Sequence, residues 1–331
     1  MRALRKSTRV PLLVVLVLAA LVLPVLFRRS QYNLILLTTV VLYGILTTAW
    51  NLIGGMAGQL DLAAGAYLGL GAFTAGTLLI RWNVTPWAGM ILGGLVATAF
   101  AFLVGYPLFR FRIREVWYAL SSSALVEVLG VAFLMWEAVG GPVERYLPYH
   151  KFSLYHLRFG TYIPYYYLLL ILLAVTLFLN YRIRRVRLGY HLLALGDNED
   201  AAEVLGVDAR ASKLKALMIY AFIVGVTGGI YACLYGFIHP SFFSSPMSLE
   251  VAILGIVGGM GVTYGPLLAC VILVSGRELL RASLGGSMES LYLVIYALAL
   301  ILIALFRPRG LASYLQDLFH RPKRAIDRGP S

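Results

Sequence analysis

Apolar runs about as long as a bilayer is thick recur from one end of this chain to the other. A helix needs about 20 apolar residues to cross the hydrocarbon core. Such runs occupy 10–27, 34–53, 62–80, 88–109, 116–136, 163–181, 216–238 and 291–306. Only 13% of the 331 residues are charged, against about 25% in soluble domains. In water the chain would expose too much hydrophobic surface, and in lipid its backbone must satisfy its own hydrogen bonds, which favours helices. The expected fold is an all-α polytopic membrane protein with about 8–10 transmembrane helices.

The net charge of +13 does not point to nucleic acid, because the basic residues sit in short loops and tails between apolar runs. Lys and Arg are retained on the cytoplasmic side of a membrane. The N-terminal tail, the loop with Arg110, Arg112 and Arg114, the loop 182–215 and the C-terminal tail together hold twenty basic residues, whereas 28–33, 81–87 and 137–162 hold six. Arg277 and Arg281 are left unassigned. Both termini are thus expected inside the cytoplasmic membrane of a bacterium or archaeon, and the number of crossings is even. The first run follows a basic stretch as in a signal peptide, but Phe27-Arg28-Arg29 stands where a small-residue cleavage site would, so it reads as a retained span. The expected organisation is a basic tail 1–9, a transmembrane domain 10–306 with the cytoplasmic loop 182–215, and a basic tail 307–331.

Two segments cannot be plain spans. The stretch 248–275 is long for one span and short for two, and its middle runs from Gly258 and Gly259 through Gly261 to Gly265 and Pro266, which breaks a regular helix. If it enters and leaves by the same face, eight crossings keep both termini inside. Earlier, 54–80 is rich in Gly and Ala at three- and four-residue spacing, as in Gly65, Gly69 and Ala72. Such spacing lets helix backbones approach closely. Broken or re-entrant segments are expected near 54–65 and 254–266, where only protein or a watery cavity could satisfy the freed backbone. Paired interruptions of this kind mark the binding region of repeat-built transporters, so Gly58, Gly258, Gly259 and Gly261 are candidates for the translocation pathway.

Carboxylates at membrane depth are costly and face protein or water. Asp61 either caps the helix that follows it or lines the pathway. Gln59 makes an interhelical hydrogen bond or contacts substrate. Glu127, mid-span with no basic residue one turn away, is a buried structural or gating carboxylate or a substrate contact. Glu250 can be an exposed charge at a helix N-terminus, and Glu115 adjoins Arg112 and Arg114 at a solvated end. Tyr146, Tyr149, Tyr155, Tyr162, Tyr165, Tyr166 and Tyr167 cluster in 137–167, as an interfacial aromatic belt or a docking surface for an external protein. Cys233 and Cys270 lie in apolar runs and read as packing residues.

The segment 191–207 is polar enough to leave the bilayer. Asp197 or Asn198 can cap a short helix through Ala201, Ala202 and Leu205, and Gly206 can end it. This is either a surface helix or what a permease presents to a motor. The chain has no motor of its own: no P-loop motif occurs, and no Lys follows a Gly. No catalytic or metal-binding constellation is evident, so an enzyme acting on lipid-linked substrates is disfavoured. A secondary transporter stays as a rival, weakened by the absence of a membrane-buried basic partner for the acids.

The segment Asp200-Ala201-Ala202 followed by Gly206 resembles the coupling motif of ABC importer permeases, with Asp in place of Glu; Asn198 and Glu199 complete the turn before it. The surrounding ALGDNEDAAEVLGVDARASKLKALMIYAFIVGVTGGIYA, together with AWNLIGGMAGQLDLAAGAYLGLGAFTAG, FRIREVWYALSSSALVEVLG and SLEVAILGIVGGMGVTYGPLLACVIL, resembles the branched-chain amino acid permeases, in particular the LivM-type subunit. The resemblance spans about 40–280. It implies ATP-driven alternating access for branched-chain or related hydrophobic amino acids, with two cytoplasmic P-loop ATPases, a second and non-identical permease subunit, and an extracytoplasmic binding protein. It implies no cofactor on this chain, ATP and Mg²⁺ being held by the ATPases. Asp61-Leu62-Ala63-Ala64, Glu115-Val116-Trp117-Tyr118 and Ser122-Ser123-Ala124 depart from the family pattern, which leaves urea, amides and other amino acids open as substrates.

Overall fold

The computed structural model describes residues 9–113, 115–148, 153–284, 291–306 and 310–312. The two basic tails thus lie almost wholly outside the described residues, as do Tyr149 and the Glu115 side chain. The helices are α1 (Arg9–Leu26), α2 (Gln31–Trp50), a π-helical turn (Asn51–Met56), α3 (Ala64–Trp82), α4 (Pro86–Arg110), α5 (Glu115–Met135), α6 (Ile163–Ile183), α7 (Arg187–Asp197), α8 (Glu199–Val204), α9 (Ala209–Tyr235), α10 (Ser245–Gly258), α11 (Gly265–Ala269), a second π-helical turn (Cys270–Val274), α12 (Ser275–Leu284) and α13 (Leu291–Phe306). Six helical runs among the described residues are long and apolar enough to cross a membrane, and the all-α polytopic expectation holds.

Local chemistry sets the boundaries. Ser30, Asp208 and Ser244 each accept a backbone N–H three residues on, capping α2, α9 and α10. Pro86 opens α4, where its missing N–H costs nothing. What we term the lower end of the bundle holds the turn 51–56, the connection after α4, the segment 184–208 and the bend 259–264; the upper end holds 83–85, 136–148 and 153–162. At the upper end β1 (Arg145–Tyr146) pairs antiparallel with β2 (Phe237–Ile238), and the Thr85 hydroxyl donates to Tyr155 O at 2.7 Å.

The centre is the trio α3, α4 and α9. Gly71, Gly93 and Gly225 meet backbone to backbone, with no room for a Cβ at any of them, as small residues at helix crossings allow. The other glycine face of α3 does something the sequence spacing does not foretell. Gly76, Gly69 and Gly65 receive Ile238, Phe243 and Ser244 in turn, so 238–244 descends alongside α3, broken only by a short 3-10 turn at Pro240–Phe242. Phe243 stacks between Phe73 of α3 and Phe133 of α5. Consequently α10 starts inside the bundle, and the Gly65 N–H donates to Ser248 Oγ at 2.8 Å.

α3 also starts inside. Tyr67, in its first turn, packs edge-on against Tyr220 at 5.5 Å, about 16 Å along α9 from its start, and 57–63 fill the depth below. The expected break at 248–275 is real but larger than expected. Its arms run from Ser245 to Leu284 and meet at 259–264 at the lower end, a deep hairpin rather than a shallow re-entrant loop.

Candidate functional site

The first break begins where α2 widens into its π turn. Gly54 and Gly255 flank the Trp50 ring, and the indole Nε1 donates to Asp61 O at 2.8 Å, folding 57–63 back under the bundle. Gly58 sits at φ +67°, a conformation glycine adopts without steric penalty. Asp61 is fully buried. Its carboxylate accepts from the Ala63 N–H at 2.9 Å and from the Tyr118 hydroxyl of α5 at 3.0 Å. Asp61 thus anchors the stretch before α3 to α5 rather than capping the helix, whose N-cap residue is Ala63 with no side-chain cap. Gln59 is 2% exposed; its Oε1 accepts from Lys213 Nζ at 3.0 Å, while its Nε2 has no partner.

The second break is bound to the first. Gly258 and Gly265 pack against each other, closing the bend around Gly259. The Gly261 N–H donates to Asn51 Oδ1 at 3.0 Å, and Asn51 Nδ2 donates to Val262 O at 3.4 Å. Arg184, at the end of α6, donates to Gly261 O, and Asn180 Nδ2 donates to Thr48 O at 2.9 Å. The two glycine-rich segments predicted separately thus form one lower-end assembly. Its connectors, Asn51, Asn180 and Arg184, escape a reading of the sequence, in which Arg184 counts only toward topology; a lone amide inside each apolar run was the available signal.

The polar segment beyond α6 folds against this assembly. Asn198 caps α8, its Oδ1 accepting from the Ala201 N–H at 2.9 Å, and Gly206 terminates the turn at φ +88°. Ala202 packs with Leu195 and Ala209, whereas Asp200 and Ala201 are exposed. Gly196 lies directly on the Met56 and Gly58 backbone. Glu199 pairs with Lys213 at 2.8 Å, and Glu203 with Arg112 at 3.1 Å. Between α8, the end of α4 and the start of α9 lies a polar cavity of about 450 Å³. Val204 and Leu205 are 88% and 85% exposed. These two aliphatic side chains stand at the tip of the polar segment; the sequence names only Leu205, as part of the short helix.

Two carboxylates differ from expectation. Glu127 is exposed on α5, not buried; Val116, Trp117, Leu120, Val128 and Val131 are exposed along with it. The helix is apolar nearly all round, so its own pattern does not choose a buried face. Glu250 is not an exposed terminal charge, because α10 starts within the protein. It pairs with Arg277 of α12, which also binds Glu278 at 2.9 Å and lies 5.3 Å from the Tyr43 ring centre. A half-buried basic partner therefore does exist, contrary to the sequence expectation. Among the tyrosines of the upper loop, Tyr165 and Tyr166 are buried and donate to Leu157 O and Ala20 O, whereas Tyr146 and Tyr155 are exposed.

The family model described as "Branched-chain amino acid transport system / permease component" matches residues 32–304. The high-affinity branched-chain amino acid transport system permease protein LivM of Escherichia coli (strain K12) is 28% identical over 323 residues, covering 90% of this chain and 74% of that protein. Its counterpart in Salmonella typhimurium is 28% identical over 309 residues, covering 86% and 71%. The fructose import permease protein FrcC of Rhizobium meliloti is 23% identical over 303 residues, covering 88% and 83%. No solved structure matches significantly. With a family match spanning both breaks and the segment between them, this chain belongs to the permease components of branched-chain amino acid transport systems.

Proposed function

We propose that the chain is the membrane permease subunit of an ATP-driven importer that moves branched-chain or related hydrophobic amino acids into the cytoplasm. The observation that carries this reading is the docking of the end of α7, which leads directly into the capped α8 turn, onto the first break. Gly196 touches Met56 and Gly58, and Val204 and Leu205 project away from the bundle. A motor subunit seated on that aliphatic tip would act on helices broken within the bundle. In this reading the lower end faces the cytoplasm, in keeping with its basic loops. Two P-loop ATPases bind there with their ATP and Mg²⁺, an extracytoplasmic binding protein delivers substrate above, and no nucleic acid is involved.

A second, non-identical permease subunit covers the face of α5. A carboxylate at membrane depth requires protein or water beside it, and among the described residues Glu127 is exposed on this face. Gly58, Gln59, Asp61, Gly258, Gly259 and Gly261 surround the lower part of the pathway, and Glu127 and Glu250 lie along it. The substrate class rests on the relatives named for branched-chain amino acids; the fructose permease among the relatives shows that likeness alone does not fix it.

The test is radiolabelled leucine uptake into proteoliposomes holding the co-purified complex, with binding protein outside and ATP inside. ATP-dependent uptake competed by valine is expected. ATP-dependent transport of urea, an amide or another amino acid in place of leucine would correct the substrate, and uptake indifferent to ATP would overturn the importer.

A further inference from the structure

Lys213 stands one turn into α9 with only 4% of its surface exposed. An ammonium group is rarely so buried without partners. Its Nζ reaches two oxygens from two different parts of the molecule: Glu199 Oε2 at 2.8 Å, on the short α8, and Gln59 Oε1 at 3.0 Å, in the non-helical stretch below α3. A lysine ammonium is a compact donor of three hydrogen bonds, so one group can hold both oxygens at once and tie the two parts together. We propose that Lys213 is the coupling residue of this permease. It converts displacement of α8 into displacement of 57–63, and so into opening or closing of the first break. The inference rests on the function proposed above and deepens it.

Three further observations bear on it. The Gln59 amide must present its oxygen to Lys213, since lysine only donates, and this leaves its Nε2 buried without an acceptor. A buried amide N–H₂ with no acceptor is costly, so the Gln59–Lys213 bond is kept at the expense of the other end of the amide. Second, the backbone contact of Gly196 with Met56 and Gly58 lets α7 push on the same stretch but not pull it; the hydrogen-bonded Lys213 transmits both. Third, the stretch is tied above by Trp50 and Tyr118 to Asp61, so movement entering at Gln59 is passed to α2 and α5.

The experiment uses the reconstituted complex with its ATPase subunits. Amide hydrogen exchange is read with and without vanadate and MgATP to trap the motor. In the wild-type chain, exchange in 199–204 and in 57–63 should both change on trapping, the latter by about fivefold or more, as typical coupling energies give. Lys213→Met should keep the response of 199–204 and lose that of 57–63, and Lys213→Arg should restore it. If Lys213→Met fails to assemble, Glu199→Gln, which keeps size and removes the ion pair, should weaken the same response. A merely structural lysine would alter exchange equally with and without trapping. A full trapping response of 57–63 in the Met variant, or none in wild type, would overturn the relay alone. No response of 199–204 in wild type would overturn the docking of a motor on α8, and the relay with it.

Discussion

Asn51 and Gly261 are 210 positions apart in the chain, and the side chain of one accepts the backbone N–H of the other at 3.0 Å. This bond, with Asn51 Nδ2 to Val262 O, makes the two breaks a single structural unit. Asn51→Leu would leave the Gly261 N–H buried without an acceptor, at a cost of about 1–3 kcal/mol. The variant should melt several degrees lower in detergent by tryptophan fluorescence. An unchanged melting temperature would show that water or another group takes over the contact.

Leu205→Asp should weaken the affinity of the ATPase subunit for the nanodisc-held permease by tenfold or more, since placing a fully exposed leucine into a dry contact contributes about 1.5–3 kcal/mol. Leu205 is 85% exposed, so the melting temperature of the subunit alone should stay put. Biolayer interferometry with purified ATPase reads the first, and a melting curve the second.

Charge reversal at Asp200 and a bulky residue at Gly206 address the same surface differently. Asp200 is exposed in the first turn of α8, where an acid is favoured by the helix dipole at about 0.3–1 kcal/mol. Asp200→Lys removes that and reverses the surface charge. Gly206 has open space where a Cβ would stand but a left-handed backbone, so Gly206→Val strains the turn without a clash. Both variants are expected to insert and to hydrolyse ATP in the complex, while transport per ATP falls. Normal uptake by both would remove α8 from the coupling role.

The Arg277–Glu250 pair supports a comparison of single and double variants. Both side chains are about 15% exposed, so Arg277→Met strands a largely buried carboxylate and should cost about 3–5 kcal/mol. Adding Glu250→Gln to the same chain should recover most of the loss. A double variant no more stable than the single one would mean that Glu278, not Glu250, is what Arg277 neutralises.

Much of this was legible in the chain because bilayer length and glycine chemistry act locally. The apolar runs fell on helices, the breaks near 54–65 and 254–266 fell where Gly58 and Gly259 turn the backbone, and of the two cap candidates, Asp197 and Asn198, it is Asn198 that caps the turn. The stretch 238–244 was illegible for a tertiary reason. The segment between two apolar runs was assigned no role, and only the glycine face of α3 makes room to bury it. Glu127 was misplaced because an all-round apolar helix does not declare its buried side, and Glu250 because its partner Arg277 sits on a hydrophilic helix, α12, that composition assigned to neither face. The connectors Lys213, Asn51 and Arg184 were single polar residues whose partners lie far along the chain.

The glycine contact among α3, α4 and α9 carries a mechanical consequence. Where Gly71, Gly93 and Gly225 bring backbones together with no side chain between them, there is nothing to repack, and close-packed interfaces resist gradual deformation. These three helices form a stator. A working stroke in this subunit would be taken up around it, at the breaks 57–63 and 259–264 and along the descending strip 238–244, which packs on the glycine face of α3.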